Sequence, residues 1–120
     1  MPGNDQEQFP TLVRQLEEQR IETWFQHPRQ LVISAANPNF PSVNSFWITR
    51  FQECWYLSTW APTVYRIPSQ ANILDLTVSV LRSSATAIYK VPEELVSTHG
   101  LEKLTEDEVD KFMNEALPAA

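Results

Sequence analysis

The sequence predicts an α+β fold: a mainly antiparallel sheet built on a three-stranded meander, with an N-terminal helix and C-terminal helices packed against it. Three observations predict it. Residues Phe46–Ile67 hold three of the four Trp, two of the three Tyr and two of the six Phe, in strand-like alternation with two short breaks. Apolar residues recur at helical spacing on both sides of that block, at Val13, Leu16 and Trp24 and again at Val109, Phe112, Met113 and Ala116. With 42% apolar and 20% charged residues, the 120-residue chain has the composition of one globular domain spanning 1–120.

Charge and cysteine usage limit the function classes. The net charge is −6, and the nine Lys and Arg are scattered, so no nucleic-acid partner is expected. A basic protein partner suits the charge better. Only one cysteine, Cys54, is present, so no disulfide can form within the chain, and a reducing, cytoplasmic setting is expected. No apolar run approaches the roughly 20 residues of a membrane span, and the first residues, MPGNDQEQF, lack a signal-peptide pattern. Two glycines leave no material for a phosphate-cradling loop.

Taken in order, residues 1–8 and 118–120 are polar or small and expected to be flexible. Pro10 suits a first helical turn, and a helix is expected over Pro10–Gln26, where Pro28 disfavours continuation. Gln30–Ala35 is β-branched and reads as the first strand. The segment AANPNFPSVNS follows as a long loop, and Asn37–Asn44 is a candidate binding segment because long loops often carry function.

The meander strands are expected at Ser45–Phe51, Cys54–Thr59 and Thr63–Ile67. A two- or four-residue turn around Gln52-Glu53 places Arg50 opposite Trp55 and Ile48 opposite Leu57. The turn at Trp60-Ala61-Pro62 then places Leu57 opposite Tyr65 and Trp55 opposite Ile67. One face carries Phe46, Ile48, Trp55, Leu57, Tyr65 and Ile67, the better core. The other carries Trp47, Thr49, Phe51, Cys54, Tyr56, Ser58, Val64 and Arg66. A three-residue first turn would move Phe46 and Ile48 across.

Ser69 is the expected N-cap of a helix running from Gln70 to about Ser83. Ala85–Val91 reads as a short edge strand or an extended connector. Pro92-Glu93-Glu94 opens a short helix ending at Gly100, with Leu101 folding back on Val96. Thr105 and Glu108 form a capping box for the last helix, which should dock the Val109, Phe112, Met113 and Ala116 stripe.

Few constellations suggest chemistry. Cys54 with His27 or His99 lacks a basic setting that would activate a thiol. No metal-ligand spacing exists among His, Cys and the carboxylates, so neither a metal nor another cofactor is expected. No residue is assigned a catalytic role.

The aromatic set is more informative. Trp47 and Tyr56 on the second face, Trp60 at a turn, Arg66 beside Tyr56, and Asn37 and Asn39 in the loop are the candidate binding residues. Aromatic residues and Arg are enriched in interface cores. The plain alternative is that helix 10–26 covers this face. The expected function is a small acidic cytoplasmic domain binding a protein partner without catalysis, as adaptors and inhibitors do. The alternative is a small-molecule binding domain or enzyme, with a pocket between the meander and the 36–44 loop. A homodimer through an exposed sheet edge is a third arrangement.

Overall fold

A computed structural model describes residues 9–36, 43–59, 63–82 and 91–116. Among them the order is α1 (Phe9–Glu18), β1 (Glu22–His27), β2 (Gln30–Ala36), β3 (Val43–Phe51), β4 (Cys54–Ser58), β5 (Val64–Ile67), α2 (Ile73–Arg82), α3 (Glu93–His99), β6 (Glu102–Lys103) and α4 (Glu106–Ala116). The six strands form one antiparallel sheet in the order β1-β2-β3-β4-β5-β6. The fold is α+β, as expected, and the meander is longer than three strands.

The largest departure is at the start. A helix over Pro10–Gln26 does not form. It stops at Glu18, where Gln19 and Arg20 turn the chain and Arg20 takes a left-handed φ of 63°. Glu22–His27 is instead an edge strand paired to β2 through the Pro28-Arg29 turn. The reason is chemical: Thr23, Trp24 and Phe25 favour the pleated conformation, and a ready partner strand follows two residues later. Ile21 is buried, but Trp24 is 50% exposed and contributes to neither helix nor core.

The register expected for the meander holds. Arg50 lies opposite Trp55, Ile48 opposite Leu57, Leu57 opposite Tyr65 and Trp55 opposite Ile67. The first turn is the two-residue one, with φ of 51° at Gln52 and 64° at Glu53. Left-handed backbone at both positions is the pattern of a type I′ turn, which prefers Asn-Gly. The double substitution Gln52→Asn/Glu53→Gly should therefore stabilise the protein by about 1 kcal/mol. Urea unfolding with an unchanged slope would check it.

The two faces are both packed, by different helices. On the first, Phe46, Ile48, Leu57, Tyr65 and Ile67 meet Phe9, Leu12 and Leu16 of α1 and Leu76, Val80 and Leu81 of α2. Phe9 is fully buried and packs edge-on against both Phe25 and Trp55, at 5.2 Å each. On the second, Tyr56 and Val64 meet Phe112 and Ala116 of α4, with Leu104 beside them. The helix that covers the second face is thus α4, not the N-terminal one. An apolar stripe shows which side of a helix seeks cover, not which sheet face supplies it.

The helix ends explain the remaining boundaries. α2 begins at Ile73 because Asn72, not Ser69, supplies the cap: its Oδ1 accepts the Asp75 N–H at 3.0 Å. α3 ends at Gly100, left-handed at φ 66°, with the Leu101 N–H donating to the Val96 carbonyl at 2.9 Å. The two-residue strand β6, which joins the sheet beside β5, carries too short a signal for the sequence to reveal. In α4 the stripe is narrower than expected, and Met113 is 41% exposed while Phe112 and Ala116 are buried. The expected strand over Ala85–Val91 lies outside the described residues, apart from Val91, which is buried in the first core.

Candidate functional site

The second face of the sheet holds the expected site residues that the structure describes. Trp24, Val32, Trp47, Ser58 and Val64 form one row across β1 to β5. Neighbours in such a row have Cβ atoms about 5 Å apart. The two indoles therefore flank Val32, which is buried. Trp47 is half-buried, and its Nε1–H donates to the Gln26 side-chain oxygen at 2.9 Å. Gln26 sits where the β1–β2 register slips between Phe25 and His27.

A second row runs Gln30, Thr49, Tyr56, Arg66 and Glu102. Here Tyr56 is buried under α4, its ring 4.7 Å from that of Phe112. Arg66 lies over the Tyr56 ring at 5.9 Å and pairs with Glu102 at 3.5 Å. The Tyr56 hydroxyl foremost, then Glu102 and Cys54, hold its pKa above the ordinary value against the opposing pull of desolvation. Its side chain is 40% exposed and that of Glu102 is 64% exposed, so this pair adds at most about 1 kcal/mol.

Tyr56 and Arg66 open onto a cleft of about 230 Å³ between the sheet and α4. This is not the pocket expected beside the 36–44 loop. Lys111 adds a cation to its wall, while Glu108 and Glu115 add two carboxylates. A simple anion would meet as many negative groups as positive ones, and Arg66 already has a carboxylate partner. Trp47 does not line this cleft, so the stacking set of Trp47, Tyr56 and Trp60 is not assembled there. Asn37, Asn39 and Trp60, with most of the loop, lie outside the described residues.

Glu108 has a local duty of its own. The capping box is reciprocal: the Thr105 N–H donates to the Glu108 carboxylate at 3.0 Å, and the Glu108 N–H donates to the Thr105 hydroxyl at 3.2 Å. The Thr105 backbone first, and its side chain second, hold the Glu108 carboxyl below its ordinary value of 4.5. The lowered value means that the unfolded chain takes up this proton first as pH falls. Stability from the cap is thus fully present above pH 4.5 and fades as pH drops through the folded-state value. In a melting series below that pH, Glu108→Gln should lose stability less steeply than the wild type.

The surface feature not foreseen is the edge strand itself. Trp24 is 50% and Phe25 49% exposed, on opposite faces of β1. Beside Trp24 an open groove of about 390 Å³ is bordered by Glu17, Arg20 and Glu22. The signal was present: two strand-like runs, ETWFQH and QLVISA, separated by the two residues Pro28-Arg29. It was masked by Leu12, Val13, Leu16 and Trp24, which also fit a helical spacing.

Among the described residues, no group of His, Cys, Asp and Glu is placed to hold a metal ion. His27 uses Nδ1 to accept the Arg29 N–H at 3.1 Å in the β1–β2 turn. No described helix is long and apolar enough to cross a membrane. Comparison with protein families, with curated proteins and with solved structures found no match.

Proposed function

We propose that the protein is a non-enzymatic interaction domain of the cytoplasm, and that its contact surface is the β1 edge with the aromatic row behind it. One observation carries the reading: Trp24 and Phe25, adjacent in sequence, are each half-exposed on the outermost strand. Large aromatic side chains on a rigid sheet are the residue type that most often anchors protein contacts. Trp47, partly exposed two strands in, extends the same surface. The net charge of −6 and the exposed carboxylates Glu106, Asp107, Asp110 and Glu115 along α4 favour a basic protein as the partner. The lone Cys54 suits a reducing compartment.

The test is affinity capture from native lysate with wild type and a Trp24→Ala variant. Half-exposed, Trp24 should cost less than about 1 kcal/mol of stability when truncated. A protein held by wild type and released by the variant, with matched melting curves, supports the reading. A partner that binds both equally places the contact elsewhere and defeats it.

A further inference from the structure

We propose that β1 takes up an extended basic segment of the partner as an added strand, with the segment's side chains reading Glu22, Trp24 and Phe25. This rests on the interaction reading above and specifies how the contact is made. Three features of β1 support it. Among the described residues it pairs on one side alone, with β2. An edge strand offers unpaired N–H and C=O groups that a further strand can meet. Its register with β2 is regular from Glu22 to Phe25 and slips only beyond, before Pro28. The usual protections of an edge are charged side chains, Lys above all, with Pro and bulges. Within Glu22–Phe25 the one such residue is Glu22, a charge that turns away an acidic strand and admits a basic one.

The side chains define the occupant. Glu22 and Trp24 face one way, Thr23 and Phe25 the other. A residue opposite Trp24 would lie against the indole, and one opposite Phe25 against a ring already backed by Phe9. Both should be apolar. The residue opposite Glu22 would enter the groove bordered by Glu17, Arg20 and Glu22, whose two carboxylates outnumber its one guanidinium, and should be Lys or Arg. The recognised pattern is therefore basic, any residue, apolar, apolar, read along the strand from Glu22 to Phe25. A second copy of this chain is disfavoured as the occupant, because two chains of charge −6 would meet.

A capped hexapeptide Lys-Thr-Val-Val-Thr-Lys tests this, since it presents the same pattern in either strand direction. Titrated into the full chain, it should slow hydrogen exchange at alternate β1 amides, those pointing away from β2. The peptide with Glu in place of both Lys should bind at least about tenfold more weakly, and Glu22→Lys should narrow or reverse that preference. Trp24→Ala should weaken the Lys peptide by about tenfold, the loss expected of an aromatic anchor. Equal binding of the two peptides, binding without β1 protection, or no protection at several millimolar peptide overturns the proposal. So does β1 protection that rises with protein concentration alone, which would make the occupant a second copy. A partner captured through Trp24 with none of these exchange effects would retain the interaction reading and remove only the added strand.

Discussion

Phe9→Ala should lower the unfolding free energy by about 3–5 kcal/mol, the usual range for deleting a fully buried Phe. That is a large share of the roughly 5–15 kcal/mol available to a domain of this size. Phe9 has no exposed surface, and its ring closes on Phe25 and Trp55 at once, at 5.2 Å and near-perpendicular to each. The loss combines transfer of the ring to water, a cavity between α1 and the sheet, and two edge-on aromatic contacts. Denaturant unfolding reads the total. Phe25 also loses its backing, so the β1 amides should exchange faster than those of β3 and β4.

Phe112→Ala should cost about 3 kcal/mol or more, and its effect should be confined to one layer. Phe112 is the large side chain through which α4 meets Tyr56, and Ala116 completes the contact at the helix end. Arg29 Nη1–H donates to the Ala116 carbonyl at 3.1 Å, tying the last turn of α4 to the β2 end of the sheet. The opposite face keeps its own core of α1 and α2 residues. Hydrogen exchange should therefore quicken across α4 and at Tyr56 and Val64, while Leu31, Ile48 and Leu57 stay protected. Uniform loss of protection would mean that the two layers unfold together.

How much of this was legible in the sequence differs by element. The β3–β4–β5 pairing was readable because side-chain direction has a period of two and a two-residue turn leaves one register. The faces of Phe46, Ile48, Leu57 and Tyr65 follow from it. The capping box at Thr105 and Glu108 was readable because its partners lie three residues apart. The strand at Glu22–His27 was not, because its outcome depends on pairing with β2, which helical periodicity ignores. Nor could α4 be assigned to the second face, since the choice between sheet faces is made by tertiary packing. Of the expected site residues, Tyr56 and Arg66 share a cleft, but Arg66 is committed to Glu102. Trp47 belongs instead with Trp24, which the helical reading had placed in a core.

The strand order has a kinetic consequence. Each of the first five strands pairs with its immediate neighbour in sequence, so four of the five pairings close as successive hairpins. Closing a short loop costs less chain entropy than closing a long one. The β3–β4 hairpin shares its two-residue connection with β1–β2, but it is central and has bulky cross-strand pairs. It is the natural place for assembly to begin, and β2 and β5 can then add on either side. Sheets of this local kind form faster than those that must bring distant segments together. Among the described elements, β6 and α4 come last in the chain, after α2 and α3. They should dock onto a sheet already formed, so mutations at Phe112 should speed unfolding more than they slow folding.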